Sequence, residues 1–308
     1  MADDVVIRRM ATGDLAALTP AVERAASAGE FLGSSDAHAA FFLRSFDFAP
    51  SPVALAVTAG GVVVGFTSPE FKLVVVEPGY RRRGIGTALA EAGLEIERER
   101  GRHALLLGVL PEDDAGKAFL AAVGLVYHST LWDLALPRDA AVPAPEWRAG
   151  ARARSYEDAR DRPTFRELFN AAFADHATPL QLDQGFLESP ADPSIEDADT
   201  LLLEEPDGTQ VGFCATSPER RDGSVGRHAE IWTIGVRPDR QGRGHGRQLL
   251  RWGVERLRSI GVTDVTLSVN SRNEHALGLY EREGFIRTAT RERWAKPIPP
   301  PARGPAGS

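Results

Sequence analysis

The chain of 308 residues predicts a mixed α/β (α+β) fold built twice in tandem, each copy a central mixed β-sheet flanked by helices. Two observations carry this reading. A constant offset of 160 residues aligns "EFKLVVVEPGYRRRGIGTALAEAGLEIERERG" (70–101) with "EIWTIGVRPDRQGRGHGRQLLRWGVERLRSIG" (230–261) without a gap, matching Glu70 to Glu230, Val76 to Val236, Pro78 to Pro238, Gly84 to Gly244 and Gly86 to Gly246. The same offset carries "LLLGV" (105–109) onto "VTLSV" (265–269) and "VGL" (123–125) onto "EGF" (283–285). Within each copy, short apolar runs of strand character alternate with helical patterns of period 3.6, the order expected when helices pack on a sheet.

The second copy shows each element in turn. "PTFRELFNAAFAD" (163–175) places Phe165, Leu168, Phe169, Ala172 and Phe173 on one helical face. "TLLLEEPDGTQVGFCATS" (200–217) reads as two strands around the turn Pro206-Asp207-Gly208. A strand at 229–236 leads through a glycine cluster into a helix at 244–260, followed by a strand at 264–269, a short helix at 274–283 and a last strand at 285–295. Between the copies, "LPRDAAVPAPEWRAGAR" (136–152) has three prolines and little periodicity, as a linker should. The expected division is a first domain over 1–140, a linker over 141–152 and a second domain over 153–296. The Pro/Gly-rich tail 297–308 is expected to be disordered.

Composition narrows the class. With 43% apolar and 26% charged residues the chain is globular, and a net charge of −7 argues against bulk nucleic-acid binding. The single cysteine, Cys214, excludes an internal disulfide framework and a cysteine-rich zinc site, and lies in the apolar run "VGFCAT", where it reads as core. The seven histidines show no ligand spacing, so no metal is expected. The N-terminus lacks a secretory pattern, and the most apolar window, "VALAVTAGGVVVGF", is 14 residues, too short to span a bilayer. These features predict a cytoplasmic protein with no membrane association.

The stretch "RPDRQGRGHGRQLLR" (237–251) concentrates glycine and arginine where a strand hands over to a helix. A helix entrance carries about half a positive charge and several backbone N–H groups without partners, which suits a phosphate group. The Gly-Lys-Ser/Thr of a Walker loop and the Gly-x-Gly-x-x-Gly of a dinucleotide fingerprint are both absent at this place, leaving another kind of pyrophosphate site. Val236-x-Pro238-x-x-Gln241-x-x-Gly244-x-Gly246 and Val76-x-Pro78-x-x-Arg81-x-x-Gly84-x-Gly86 both resemble the Arg/Gln-x-x-Gly-x-Gly/Ala signature of the GNAT superfamily of N-acetyltransferases. Asn273-x-x-Ala276-x-x-Leu279-Tyr280-x-x-x-Gly284-Phe285 resembles that family's second characteristic stretch.

The resemblance implies two tandem GNAT-fold domains and acetyl-coenzyme A as cofactor. It implies a pantetheine arm beside Thr233, Ile234, Gly235 and Val236, and a pyrophosphate on the backbone of Gln241, Gly242, Arg243, Gly244, His245, Gly246 and Arg247. Asn273 and Tyr280 would also contact the cofactor. By the same resemblance Glu230 is the general base, the N–H near Ile234 serves the carbonyl oxygen, and Tyr280 protonates the departing sulfur. A second cofactor site would comprise Val74, Val76, Arg81, Arg82, Arg83, Gly84, Ile85, Gly86 and Thr87. The first copy keeps Glu70, but Leu120 stands where the second has Tyr280, and Asp113 where it has Asn273, so this copy is expected to be catalytically degenerate. The acceptor would be a small-molecule amine meeting the segment 175–200, which has seven acidic residues and no Lys or Arg. A non-catalytic acyl-CoA sensor or scaffold is the alternative. Oligomeric state is left open; a monomer holding an internal pseudo-dimer is consistent with the repeat.

Overall fold

The computed structural model describes residues 4–29, 42–43, 52–147, 150–174, 182, 197–221 and 224–299. By packing, the chain forms two compact units, Met1–Thr130 with Thr290–Ser308, and Leu131–Ala289.

In the first unit β1 (Val5–Arg9), β2 (Ala54–Thr58), β3 (Val63–Ser68) and β4 (Leu73–Val76) form an antiparallel sheet in that order. Helix α1 (Leu15–Ser27) buries Leu18, Val22 and Ala25 on one face against Leu55, Phe66 and Val75. Helix α2 (Ile85–Glu99) buries Ile85 and Leu89 on the other against Ala56 and Val64. Each such fully buried aliphatic side chain stabilises the unit by about 2 kcal/mol. Strand β5 (Ala104–Val109) alternates inward Leu105, Leu107 and Val109 with outward neighbours, and packs them on helix α3 (Asp114–Ala122) at Leu120.

The first repeat ends in β6 (Val126–Leu136), whose residues Leu131–Leu136 pair antiparallel with β11 (Asp264–Asn270), inside the second unit. The second repeat ends in β12 (Ile286–Pro297), whose residues Glu292–Pro297 pair antiparallel with β5, inside the first unit. Each terminal strand therefore pairs with the strand before the last of the other repeat. The disordered tail expected from 297 does not begin there: Pro297 is in register with Ala104, and Ile298 is buried and donates its N–H to the His103 carbonyl at 2.8 Å. Residues 300–308 lie outside the described residues.

The second unit orders its strands β6, β11, β10 (Ser224–Val236), β9 (Gln210–Arg221), β8 (Thr200–Glu204) and β7 (Arg152–Ser155). All neighbours are antiparallel except β10 and β11. Helix α4 (Asp158–Ala172) starts five residues before the expected 163 and carries Pro163 inside it. Its first turn is held without that N–H: Asp161 accepts from the Glu157 N–H at 2.9 Å and from both Arg154 and Arg160. Phe165, Leu168 and Phe169 of α4 pack on Leu202, Phe213 and Trp232 on one face of the sheet. On the other face lies helix α5 (His245–Ser259), with Leu249, Leu250, Val254 and Leu257 buried against Cys214, Ile231 and Val265. Cys214 is fully buried, as core requires, and burial pushes its thiol well up. Short helix α6 (Glu274–Arg282) completes this side. Within the linker, Val142 and Trp147 pack on this core, and the Glu146 N–H donates to Gln248 Oε1 at 2.6 Å.

Candidate active site

Strands β10 and β11 share register only over His228–Asp264, Ala229–Val265 and Glu230–Thr266, although β10 continues to Val236 and β11 to Asn270. Beyond Glu230 the two parallel strands diverge, leaving a β10 edge without a strand partner among the described residues. The local cause is a bulge: β10 keeps register with β9 at Ile231–Thr216 and resumes at Thr233–Ala215, so Trp232 is the inserted residue. Past the bulge, an ideal Cβ on Gly212 of β9 would lie 2.8 Å from the Gly235 carbonyl oxygen, so the Gly235 peptide groups point toward β9. By strand alternation the N–H and C=O groups of Ile234 and Val236 point to the open edge. A Cβ on Gly235 itself would lie 2.3 Å from the Phe213 ring, which is why this position has no side chain.

At the end of β10, Pro238–Arg240 form a single 3-10 turn, and Gln241 folds back to donate its amide N–H to the Val236 carbonyl at 3.1 Å. Gly242 and Gly244 take φ values of +76° and +86°, in the left-handed region that favours glycine. Gly244 is the N-cap of α5 and supplies no side-chain acceptor, so the first-turn N–H groups of His245, Gly246 and Arg247 have no capping partner. Gly246 faces α6: a Cβ there would stand 3.7 Å from Leu279 and 3.9 Å from Val236. The arginines are less available than their number implies. Arg240 and Arg243 reach Glu205 at 3.1 and 3.6 Å, and Arg247 and Arg251 reach Glu283 at 3.1 and 2.7 Å. Backbone N–H groups, rather than a surplus of side-chain charge, are the distinctive offering of this loop. His245 has a buried side chain, and burial, partly offset by Glu205, pushes its imidazole pKa down, so it stays neutral and leaves its backbone N–H to the loop. Replacing Gly244 by Val forces a β-branched residue to φ near +86°, at a cost of about 1–2 kcal/mol in the loop. We expect coenzyme A affinity to fall roughly tenfold, measured by titration calorimetry, with the far-ultraviolet spectrum unchanged.

Ile234, Val236, Leu279 and Tyr280 all pack against the same apolar cluster, on the α5 side of the sheet. Tyr280 is half-buried, its ring centroid 6.2 Å from that of Phe285, and burial, with a smaller contribution from Cys214, pushes its phenol up to about 12. Asn273 is the N-cap of α6 and accepts from the Ala276 N–H at 3.1 Å through Oδ1, which leaves its Nδ2 donors turned outward from that bond. Glu230 lies on the opposite face, the one covered by α4, beside Ser268, whose Oγ is 3.4 Å from Glu230 Oε1. The two expected catalytic side chains thus sit on opposite faces of the sheet and meet only through the opening between β10 and β11.

The first unit repeats the loop, and its β4 likewise ends its sheet with no strand partner on the far side among the described residues, but it lacks the bulge. Arg81 folds back onto the Val76 carbonyl at 2.8 Å as Gln241 does, Arg82 takes φ +61°, and Gly84 caps α2 at φ +80°. Strand β4 runs in unbroken register with β3 from Leu73 to Val76, without a bulge. Glu70 lies in the Pro69–Lys72 turn rather than in a strand, so its likeness to Glu230 is one of sequence and not of placement. Leu120 fills the core between Leu105, Leu107 and Leu125. Asp113 caps α3 by accepting from the Gly116 N–H at 2.8 Å, the same task Asn273 performs. The acidic acceptor segment falls mostly on 175–181 and 183–196, outside the described residues. Among the described residues no group of His, Cys, Asp or Glu could hold a metal ion, and no helix is long and apolar enough to cross a membrane.

The diverging parallel strands, with a glycine-rich helix entrance at their mouth, lie in a chain that belongs to the acetyltransferase (GNAT) family, whose model matches residues 29–125 and 162–285. It is a tandem GNAT acetyltransferase similar to mycothiol acetyltransferases. The mycothiol acetyltransferase of Cellulomonas flavigena is 35% identical over 254 residues, covering 80% of this chain and 71% of its own. That of Salinispora tropica is 34% identical over 282 residues, covering 87% and 88%. A tandem GNAT protein from the clavulanic acid biosynthesis pathway shares the fold over 97% of this chain and 100% of its own, with a TM-score of 0.66 at 21% identity.

Proposed function

We propose that the protein transfers an acetyl group from acetyl-CoA to a primary amine of a small molecule, and that this amine is the cysteinyl amine of the mycothiol precursor. The observation that carries acetyl transfer is the β10 edge left open beyond Glu230, directly before an uncapped, glycine-lined helix entrance. The likeness to mycothiol acetyltransferases across both repeats supports the acceptor.

These residues fit acetyl-CoA: the Ile234 and Val236 peptide groups suit a pantetheine arm added like an extra strand, and the N–H groups from Gln241 to Arg247 suit a diphosphate. When bound, acetyl-CoA supplies a thioester carbonyl and a sulfur leaving group. Glu230 takes one proton from the acceptor ammonium, the freed amine nitrogen bonds to the acetyl carbon, and the second proton leaves that nitrogen for solvent as the amide forms. The Ile234 N–H, fixed at the strand edge, holds the negative charge that develops on the carbonyl oxygen. Tyr280 Oη, protonated throughout the neutral range, gives its proton to sulfur as the C–S bond breaks. Solvent then returns a proton to Tyr280 and removes one from Glu230. We assign this chemistry to the second repeat and a cofactor-fold or binding role to the first, where Leu120 and the Glu70 turn remove both proton-handling groups.

The test is to incubate the protein with acetyl-CoA and an amine panel that includes the cysteinyl aminosugar precursor, and to follow free thiol and acetylated product by mass spectrometry. An amide product, resistant to hydroxylamine and formed fastest from the cysteinyl amine, is expected. Cofactor binding without acceleration for any amine would favour the sensor or scaffold reading.

A further inference from the structure

We infer that Glu205, at the turn between β8 and β9, competes with the cofactor's phosphates for Arg240 and Arg243 and thereby sets how fast coenzyme A leaves after acetyl transfer. This deepens the proposed function and rests on the cofactor loop assigned there. Glu205 is held rigidly: its N–H donates to the Thr209 carbonyl at 2.9 Å, its carbonyl accepts from the Gly208 N–H at 2.9 Å, and Gly208 turns the chain at φ +85°. The same hairpin is tied to the end of β10, because the Arg237 N–H donates to the Val211 carbonyl at 2.9 Å. The Glu205 side chain is only 13% exposed, and its carboxylate takes Arg240 Nε at 3.1 Å through one oxygen and faces Arg243 at 3.6 Å through the other. An arginine engaged by a fixed carboxylate gives a phosphate less than a free one does, since the pair must first be broken and the carboxylate repels the incoming charge.

The strand order gives this pairing a direction. Strands β8 and β9 lie on one side of β10 and the open edge on the other, so Glu205 draws both guanidinium groups away from the edge that suits the pantetheine arm. Asp239 holds Arg237 at 3.1 Å and Arg240 a second time at 2.6 Å, whereas Arg243 pairs with Glu205 alone, at the longest of these distances, and is 54% exposed. Arg243 is the arm most readily passed from Glu205 to a phosphate. The first repeat lacks this restraint. Its turn between β2 and β3 reads Ala59-Gly60-Gly61 and carries no acid, and Val123 stands at the position of Glu283, which holds Arg247 and Arg251 in the second. There Arg83 donates to the Gly79 carbonyl at 2.9 Å and lies over the Tyr80 ring, and no acidic residue is paired with Arg82 or Arg83 among the described residues. The acids accompany the repeat to which turnover is assigned. A working copy must release coenzyme A in every cycle, and binding energy shared by substrate and product does not speed the chemical step.

The experiment is a titration of the full-length protein with coenzyme A, followed at the Gly244 and Gly246 amides so that the second repeat alone is read, with the release rate taken from the line shapes of the same signals. Glu205→Gln keeps the size of the side chain and is expected to tighten coenzyme A about tenfold, mainly through slower release, and to make the affinity fall more steeply with salt. Glu205→Ser, which also removes the charge, should act in the same direction. In an Arg240→Gln/Arg243→Gln background the gain from Glu205→Gln should shrink to less than about twofold. A merely structural role for Glu205 would give a loss of affinity, not a gain. Unchanged or weaker binding in a folded variant of either kind would overturn the inference, as would an equal gain with and without the two arginines. Coenzyme A that moves neither amide in any protein, wild type included, would instead remove the cofactor site itself.

Discussion

Tyr280→Phe is expected to lower kcat by about 10²–10³-fold while leaving acetyl-CoA affinity within about threefold. The ring stays packed on Phe285 and the apolar cluster, so only the hydroxyl is lost. The size of the effect reflects the leaving group: without a donor, the sulfur must depart as a thiolate into a half-buried site. The phenol sits at about 12, so it keeps its proton through neutral and moderately alkaline pH, and the donor is lost only as pH rises through that value. Wild-type kcat should accordingly show no alkaline limb attributable to Tyr280 below a pH of about 11. Stopped-flow thiol release, with cofactor affinity measured separately by calorimetry, checks both parts. Unaltered turnover would remove Tyr280 from the chemistry.

The second large effect is at Glu230. Glu230→Gln keeps the size of the side chain but cannot accept a proton, so kcat/KM at neutral pH should fall by about 10²-fold or more. The loss should shrink as pH rises, because a larger fraction of the acceptor is then a neutral amine that needs no base before attack. A pH–rate profile of the variant alongside wild type reads this directly. A uniform loss at every pH would instead place Glu230 in acceptor binding.

Much of this was legible without coordinates, and for physical reasons. The positions of Gly242 and Gly244 depend on backbone conformation alone: their φ values of +76° and +86° are those glycine adopts freely, so the residue type announces the turn. The start of α5 and the fold-back of Gln241 onto the Val236 carbonyl are likewise local events. The exchange of terminal strands was not legible. The repeat gives the chain two equivalent open edges, β5 and β11, and the alternation of Trp132, Leu134 and Leu136 fits one edge as well as the other. The likeness of Glu70 to Glu230 misled in the opposite sense. Identical residues at matched positions lie in a turn and in a strand, because β3 and β4 are short and close at Pro69–Lys72 whereas β9 and β10 run on for twelve and thirteen residues. The charge of the arginine-rich loop was also overstated, since Glu205 and Glu283 are too far away in sequence to be read as its partners.

The central claim is that a cofactor diphosphate is held by main-chain N–H groups where α5 begins. The most direct measurement is the amide ¹H–¹⁵N spectrum of the protein titrated with coenzyme A and, separately, with pantetheine, which lacks the diphosphate. Large shifts at the amides of Arg243, Gly244, His245, Gly246 and Arg247 with coenzyme A, absent with pantetheine, are the predicted result. Saturating coenzyme A that leaves those five amides unmoved would contradict it.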